Sequence, residues 1–126
     1  MTLSVSYGKV NYLAVIGIGL VAGLTGGLFG VGGGIVIVPL LIMFVHMTPQ
    51  MAIGTSLAVI IPTAVMGSYR HSQIGHVDWR IAAIMAIGSV VGAYAGASLS
   101  DYVSGDWLKR AFAILLLVTA IRLLWK

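Results

Sequence analysis

From Val10 to Val45 the chain runs 36 residues without a charge, and in its middle stands GGLFGVGGGIVIVPLL, Gly26 to Leu41. Six of the first nine residues of that stretch are glycine. Glycine is a poor helix former, and a cluster of it inside a long apolar run acts as punctuation. A single helix over all 36 residues would be roughly 54 Å long, against a bilayer core of ~30 Å. The apolar length therefore cannot cross once, and the glycines mark a break. Two layouts satisfy this. In one, an arm enters, Gly30–Gly34 turns, and a second arm returns. In the other, two half-helices joined by an extended link make a single crossing. Non-helical backbone at membrane depth is tolerated only where protein buries it or where it lines a wet cavity.

A membrane setting follows from composition. The 126 residues are 60% hydrophobic and 8% charged, with mean hydropathy +1.08. A soluble domain carries roughly 25% charged residues, so there is too little polar surface here to cover a globule in water. The net charge of +4 is scattered over seven Lys and Arg and forms no nucleic-acid stripe. Without cysteine there is neither a disulfide nor thiol chemistry. Lys9 followed by an apolar run has the look of a secretory leader, but further apolar runs follow and argue for its retention.

The expected fold is an all-α polytopic membrane protein, one domain over 1–126, with segments at about 10–29, 35–46, 49–69, 79–99 and 107–125. The last three are long enough to span; the first two form the hairpin or broken helix. Thr48 with Pro49, Asp78, and Ser104 or Asp106 supply helix starts. Trp79, Trp107, Trp125, Tyr69 and Tyr102 fall at segment ends, as an interfacial aromatic belt requires, and Arg122 is placed to snorkel. Gly88, Gly92 and Gly96, and again Gly19, Gly23 and Gly27, recur every four residues, the spacing that lets membrane helices approach closely. Pro62 is expected to kink the third segment by freeing the carbonyl of Ala58.

Charge counting weighs the layouts. The hairpin puts Lys9, Lys109 and Arg110 against Arg70, Arg80, Arg122 and Lys126, a near balance that permits insertion both ways. The single crossing puts five charges against two, with both termini cytoplasmic. The hairpin is favoured, because its balance lets two antiparallel copies reproduce an inverted-repeat transporter.

The chemistry is bounded by absences. The acids Asp78, Asp101 and Asp106 all sit at segment ends. Cation carriers and proton relays keep a buried carboxylate, so both are disfavoured. His71 and His76 lie in a polar stretch without a third ligand, and no metal or cofactor is expected. No Gly-x-Ser-x-Gly frame, dinucleotide fingerprint or P-loop is present, so an enzyme is not expected. What remains is backbone. Gly30, Gly32, Gly33 and Gly34 expose amides just before a second helix begins, and a helix N-terminus favours anions. Thr25, Thr55 and Ser56 offer hydroxyls. A purely structural role, a tight turn with close packing, accounts for the same glycines equally well.

The run Gly27-Leu-Phe-Gly-Val-Gly-Gly-Gly-Ile-Val-Ile-Val-Pro-Leu-Leu resembles the first signature of the sulfite exporter TauE/SafE family. The likeness continues through Ala52-Ile-Gly-Thr-Ser-Leu57, His71-Ser-Gln-Ile-Gly-His-Val-Asp-Trp79, Gly88-Ser-Val-Val-Gly-Ala-Tyr-Ala-Gly-Ala97 and Leu108-Lys-Arg-Ala-Phe112. The resemblance implies a multi-pass inner-membrane exporter of sulfite or other small organosulfur anions. It marks Gly30, Gly32, Gly33, Gly34 and Pro39, then Gly54, Thr55 and Ser56, as signature positions. Members typically carry two such halves, and this chain carries one. That implies either a homodimer completing the transporter or a single-repeat protein with another role. Arg70, His71 and Arg80 stand where they would attract anions to one mouth, though headgroup contact is the commoner use of such residues. A small dual-topology anion channel and a non-transporting membrane scaffold are the competing readings.

Overall fold

The computed structural model describes residues 11–125. Expectations placed on Lys9, Val10 and Lys126 lie outside the described residues. Five helices follow in order: α1 Tyr12–Phe29, α2 Gly34–Phe44, α3 Pro49–Gln73, α4 Trp79–Ser100 and α5 Gly105–Leu124. No strand occurs among the described residues. The chain is an all-α polytopic membrane protein.

Local chemistry explains most of the boundaries. Asn11 caps α1, its Oδ1 accepting from the amide of Leu13 at 3.2 Å. Thr48 Oγ1 accepts from the amide of Met51 at 3.4 Å, with Pro49 in the first position of α3. Asp78 accepts from the amides of Arg80 and Ile81, both at 3.0 Å, and so opens α4. Ser104 stands at the N-cap of α5 without a side-chain bond, and Asp106 lies in the first turn. The expected ends of α1, α2 and α4 agree with these bounds to within two residues. α3 runs four residues past its expected end. Arg70 and His71 therefore sit in its last turn, where cations suit the helix dipole, rather than in a loop. Pro39 and Pro62 both lie inside helices that continue through them.

Membrane-spanning capacity is distributed differently from expectation. α1, α3 and α4 are long and apolar enough to cross. The first arm is therefore no half-length segment: its 18 residues extend roughly 27 Å at helical rise, glycines included. Only the second arm is short, 11 residues. α5 forms, but it does not qualify by composition. Asp106, Lys109 and Arg110 occupy its start and Arg122 its end, leaving 111–121 as the uncharged run. That is well below the ~20 residues a crossing needs.

The chain divides into two compact units, up to Ala64 and from Val65 on. In the first, α1 and α2 pack together, and the buried residues among those described are Ala22, Gly26, Gly33, Ile37, Val38, Leu41, Ala52 and Ser56. In the second, neither α4 nor α5 buries a single residue. In lipid this exposure of Ile, Val and Leu costs nothing, because the surroundings are as apolar as the side chains. The turn after α3 is closed by the amide of Gly75 donating to Ser72 O at 3.0 Å and that of His76 donating to His71 O at 2.9 Å. Trp79 Nε1 reaches back to Ser72 Oγ at 3.3 Å.

At the α2–α3 connection His46 takes a left-handed conformation, φ 56°. The amides of Val45 and Met47 both donate to Leu41 O, at 3.2 and 3.3 Å, which fixes the chain there. A Cβ in this region costs energy that glycine does not incur. His46→Gly is expected to raise stability by about 0.5–1 kcal/mol, read as a higher thermal midpoint in detergent. A lower midpoint would mean that the exposed imidazole makes a contact worth more than the strain.

Candidate functional site

The glycine stretch is a reversal built from left-handed residues. Gly30 ends α1 at φ 69°, its amide donating to Gly26 O at 2.9 Å. Gly33 opens α2 at φ 75°. Between them the chain folds back along α1. A Cβ on Gly26 would stand 2.8 Å from Gly33 N and 3.0 Å from Gly32 C. A Cβ on Gly33 would stand 2.6 Å from Ala22 O. Ala22 lies seven residues before the last residue of α1, roughly 10 Å back along the helix. Two half-helices joined end to end would hold Gly33 far from that point. The break is therefore a hairpin turn, the first of the two layouts.

Backbone polarity accumulates at this turn. Gly33 O accepts from the amides of Val36 and Ile37 at 3.0 and 2.9 Å, closing the first turn of α2. The amides from Val31 to Ile35 donate to no acceptor among the described residues. They stand at the positive end of α2, with no side-chain cap on Gly33. The glycines do not share one role. Gly30 has committed its amide to the α1 cap. Gly33 is buried, its nitrogen pressed against Gly26. Gly32 and Gly34 turn the other way, toward Ile60 of α3. A Cβ on Gly34 would meet Ile60 Cδ1 at 2.9 Å, and one on Gly32 would meet Ile60 Cγ2 at 3.1 Å.

Ile60 belongs to a stripe at helical spacing, Ala52, Ser56 and Ile60, of which the first two are buried. Ser56 thus lies one turn from the residue that touches the loop. Its Oγ donates to Ile53 O at 2.8 Å, so its proton is engaged within the helix. Thr25 Oγ1 donates likewise to Val21 O at 2.9 Å and Ala22 O at 3.1 Å. Thr55, half-buried on the same turn of α3 as Ser56, makes no side-chain hydrogen bond among the described residues. It is therefore the readiest hydroxyl of the three.

The other sequence-expected residues fall elsewhere. Pro39 lies within α2, and Gly54 is exposed with nothing within 4 Å of an added Cβ. The same emptiness holds at Gly88, Gly92 and Gly96, and at Gly19, Gly23 and Gly27. Among the described residues, a Cβ added at any of these triplet positions would meet nothing within 4 Å. The close approach on α1 uses Ala22 and Gly26, which sequence reasoning passed over, as it passed over Ile60. Arg70, His71 and Arg80 belong to the unit from Val65 on. There Arg70 Nη1 donates to Gln73 Oε1 at 3.3 Å, and the His71 and His76 rings stand 6.3 Å apart. No cluster of three or more metal-ligating residues occurs among the described residues.

The family described as sulfite exporter TauE/SafE matches residues 15–126. The chain is 36% identical over 124 residues to the probable membrane transporter protein YunE of Bacillus subtilis, covering 93% of this chain and 45% of that protein. It is 35% identical over 115 residues to a probable membrane transporter protein of Xylella fastidiosa, covering 90% and 44%. A third, from Methanocaldococcus jannaschii, is 30% identical over 110 residues, covering 82% and 41%. The chain thus spans less than half the length of these curated relatives. No solved structure matches. With nearly all of its length inside the family match, this chain belongs to the sulfite exporter TauE/SafE family.

Proposed function

We propose that the chain carries small sulfur-containing anions, such as sulfite or an organosulfonate, out across the inner (plasma) membrane. The observation that carries this reading is the row of undonated amides from Val31 to Ile35 at the N-terminus of α2. No acid stands in the interior of α1, α2, α3 or α4. A polar site without basic side chains suits an anion, and backbone amides hold it without the desolvation cost of a buried cation. Gly32 and Gly34 form the loop's contact face, Thr55 adds a hydroxyl, Ser56 lines the adjoining turn, and Gly30 and Gly33 shape the turn. Arg70, His71 and Arg80 draw anions toward one mouth. Two chains act together as a homodimer, antiparallel in the membrane, so that each supplies one glycine turn.

Flux into proteoliposomes tests the reading. Sulfite, taurine or sulfoacetate is expected to move in a saturable, mutually competing manner. An ohmic chloride current instead indicates a channel, and absence of flux for every anion indicates a scaffold. A reporter fused to the C-terminus is expected on both sides of the membrane. Signal on one side only removes the antiparallel pairing.

A further inference from the structure

α3 is held along one half only. Up to Ile60 it is packed within its unit. Ala52 and Ser56 are buried, and Ile60 fills the space over the glycine turn, where a Cβ on Gly34 would meet its Cδ1 at 2.9 Å. From residue 61 to residue 73 no position of the helix is buried. The boundary between the two compact units, Ala64 to Val65, falls inside α3, so one helix runs across it.

The loss of packing coincides with a change in bonding. Pro62 has no amide hydrogen to give to Ala58 O, and its ring crowds that carbonyl. One residue on, Thr63 Oγ1 donates to Val59 O at 2.9 Å, so a hydroxyl competes for the carbonyl that the helix bonds to the Thr63 amide. Two successive carbonyls are thereby loosened from the helical ladder. A back-bonded threonine alone is not distinctive, since Thr119 Oγ1 of α5 donates to Leu115 O at 2.7 Å. In α3 it stands beside a proline, at the point where burial stops.

We propose that α3 is hinged at residues 58–63, its first half fixed against the glycine turn and its second half free to swing. A proline inside a helix bends it by more than about 20°, and packing on both arms is what fixes such a bend at one angle. Here only the first arm has buried residues. The end of α3 that carries Arg70 and His71 therefore moves while Ala52, Ser56 and Ile60 stay in place.

The chain has no cysteine, so two-cysteine variants carry nitroxide labels only where they are placed. Gly54→Cys with Ser68→Cys brackets the hinge. Lys109→Cys with Leu123→Cys in α5 is the matched control, with the same separation of roughly 21 Å at helical rise. It spans back-bonded Thr119 but no proline. All four positions are exposed. Distances are measured by pulsed electron spin resonance in nanodiscs, with labelled chains diluted in excess cysteine-free chain to remove distances between copies. The α3 pair is expected to give a distribution about twice as broad as the α5 pair, and Pro62→Ala to narrow it to the α5 width. Equal widths for the two pairs in the parent chain overturn the proposal. So does a narrow α3 distribution at a shortened distance, which means a rigid bend. An α3 width that Pro62→Ala leaves unchanged overturns it as well. If Pro62→Ala does not insert, the comparison of the two pairs in the parent chain decides by itself.

Discussion

Gly33→Ala is expected to destabilise the protein by roughly 2–5 kcal/mol, the sum of a left-handed Cβ penalty and an overpacking term. Both terms have a definite origin. Gly33 holds φ 75°, and the new Cβ would stand 2.6 Å from Ala22 O and 3.1 Å from Ala22 C. Those atoms are main chain in the middle of α1 and cannot rotate aside. Ala22 O already accepts from Thr25 Oγ1 at 3.1 Å, which further restricts its movement. Gly30→Ala is the matched control. It has φ 69° but nothing within 4 Å, so only the conformational cost applies, about 1–2 kcal/mol. Thermal midpoints in one detergent compare the two, and Gly33→Leu is expected to abolish flux altogether. If Gly33→Ala proves no less stable than Gly30→Ala, the turn does not press against α1 as described.

Neighbouring glycines of α1 are expected to respond with opposite signs. Ala is a better helix former than Gly by about 1 kcal/mol, so Gly→Ala within a helix is ordinarily favourable. Gly27→Ala meets nothing within 4 Å and is expected to gain about 0.5–1 kcal/mol. Gly26→Ala gains the same propensity but drives its Cβ to 2.8 Å from Gly33 N and 3.0 Å from Gly32 C. An overpacking cost of about 1–3 kcal/mol outweighs the gain. Denaturation midpoints of the two variants are therefore expected to fall on either side of the parent. Two shifts of the same sign would mean that the reversal does not lie over Gly26.

The contrast between those two positions shows where sequence reasoning reaches its limit. Helix starts were legible at Thr48, Pro49 and Asp78, because capping depends on a few adjacent residues. The end of α3 was less so. The run from Tyr69 to Gln73 is polar enough to suggest a loop, yet a helix leaving the bilayer turns polar without unwinding. The need for a break at Gly30–Gly34 followed from length alone. Which face of α1 receives the turn did not. Gly19, Gly23 and Gly27 form the more regular stripe, but periodicity identifies a face without naming its neighbour. The Ala22 and Gly26 pair carries the contact instead. Ile60 was invisible for a different reason. In an apolar run every isoleucine looks alike, and only the placement of Gly32 and Gly34 beneath it distinguishes this one. That the Gly30 amide caps α1 by donating to Gly26 O depends on the left-handed turn there and is not visible in a count of glycines.

The two contacts of the glycine turn differ in stiffness. Against α1 it rests backbone on backbone, and nothing there yields without bending a helix. Against α3 it rests on the outer carbons of one side chain, which yield by a change of rotamer. The turn is thus welded on one shoulder and sprung on the other. Forces reaching it from α1 arrive as rigid-body motion, carried whole into α2. Those from α3 are absorbed at Ile60 before they reach the backbone. Such a joint transmits displacement in one direction and cushions it in the other, a mechanical asymmetry that follows from where this chain has placed side chains and where it has left them out.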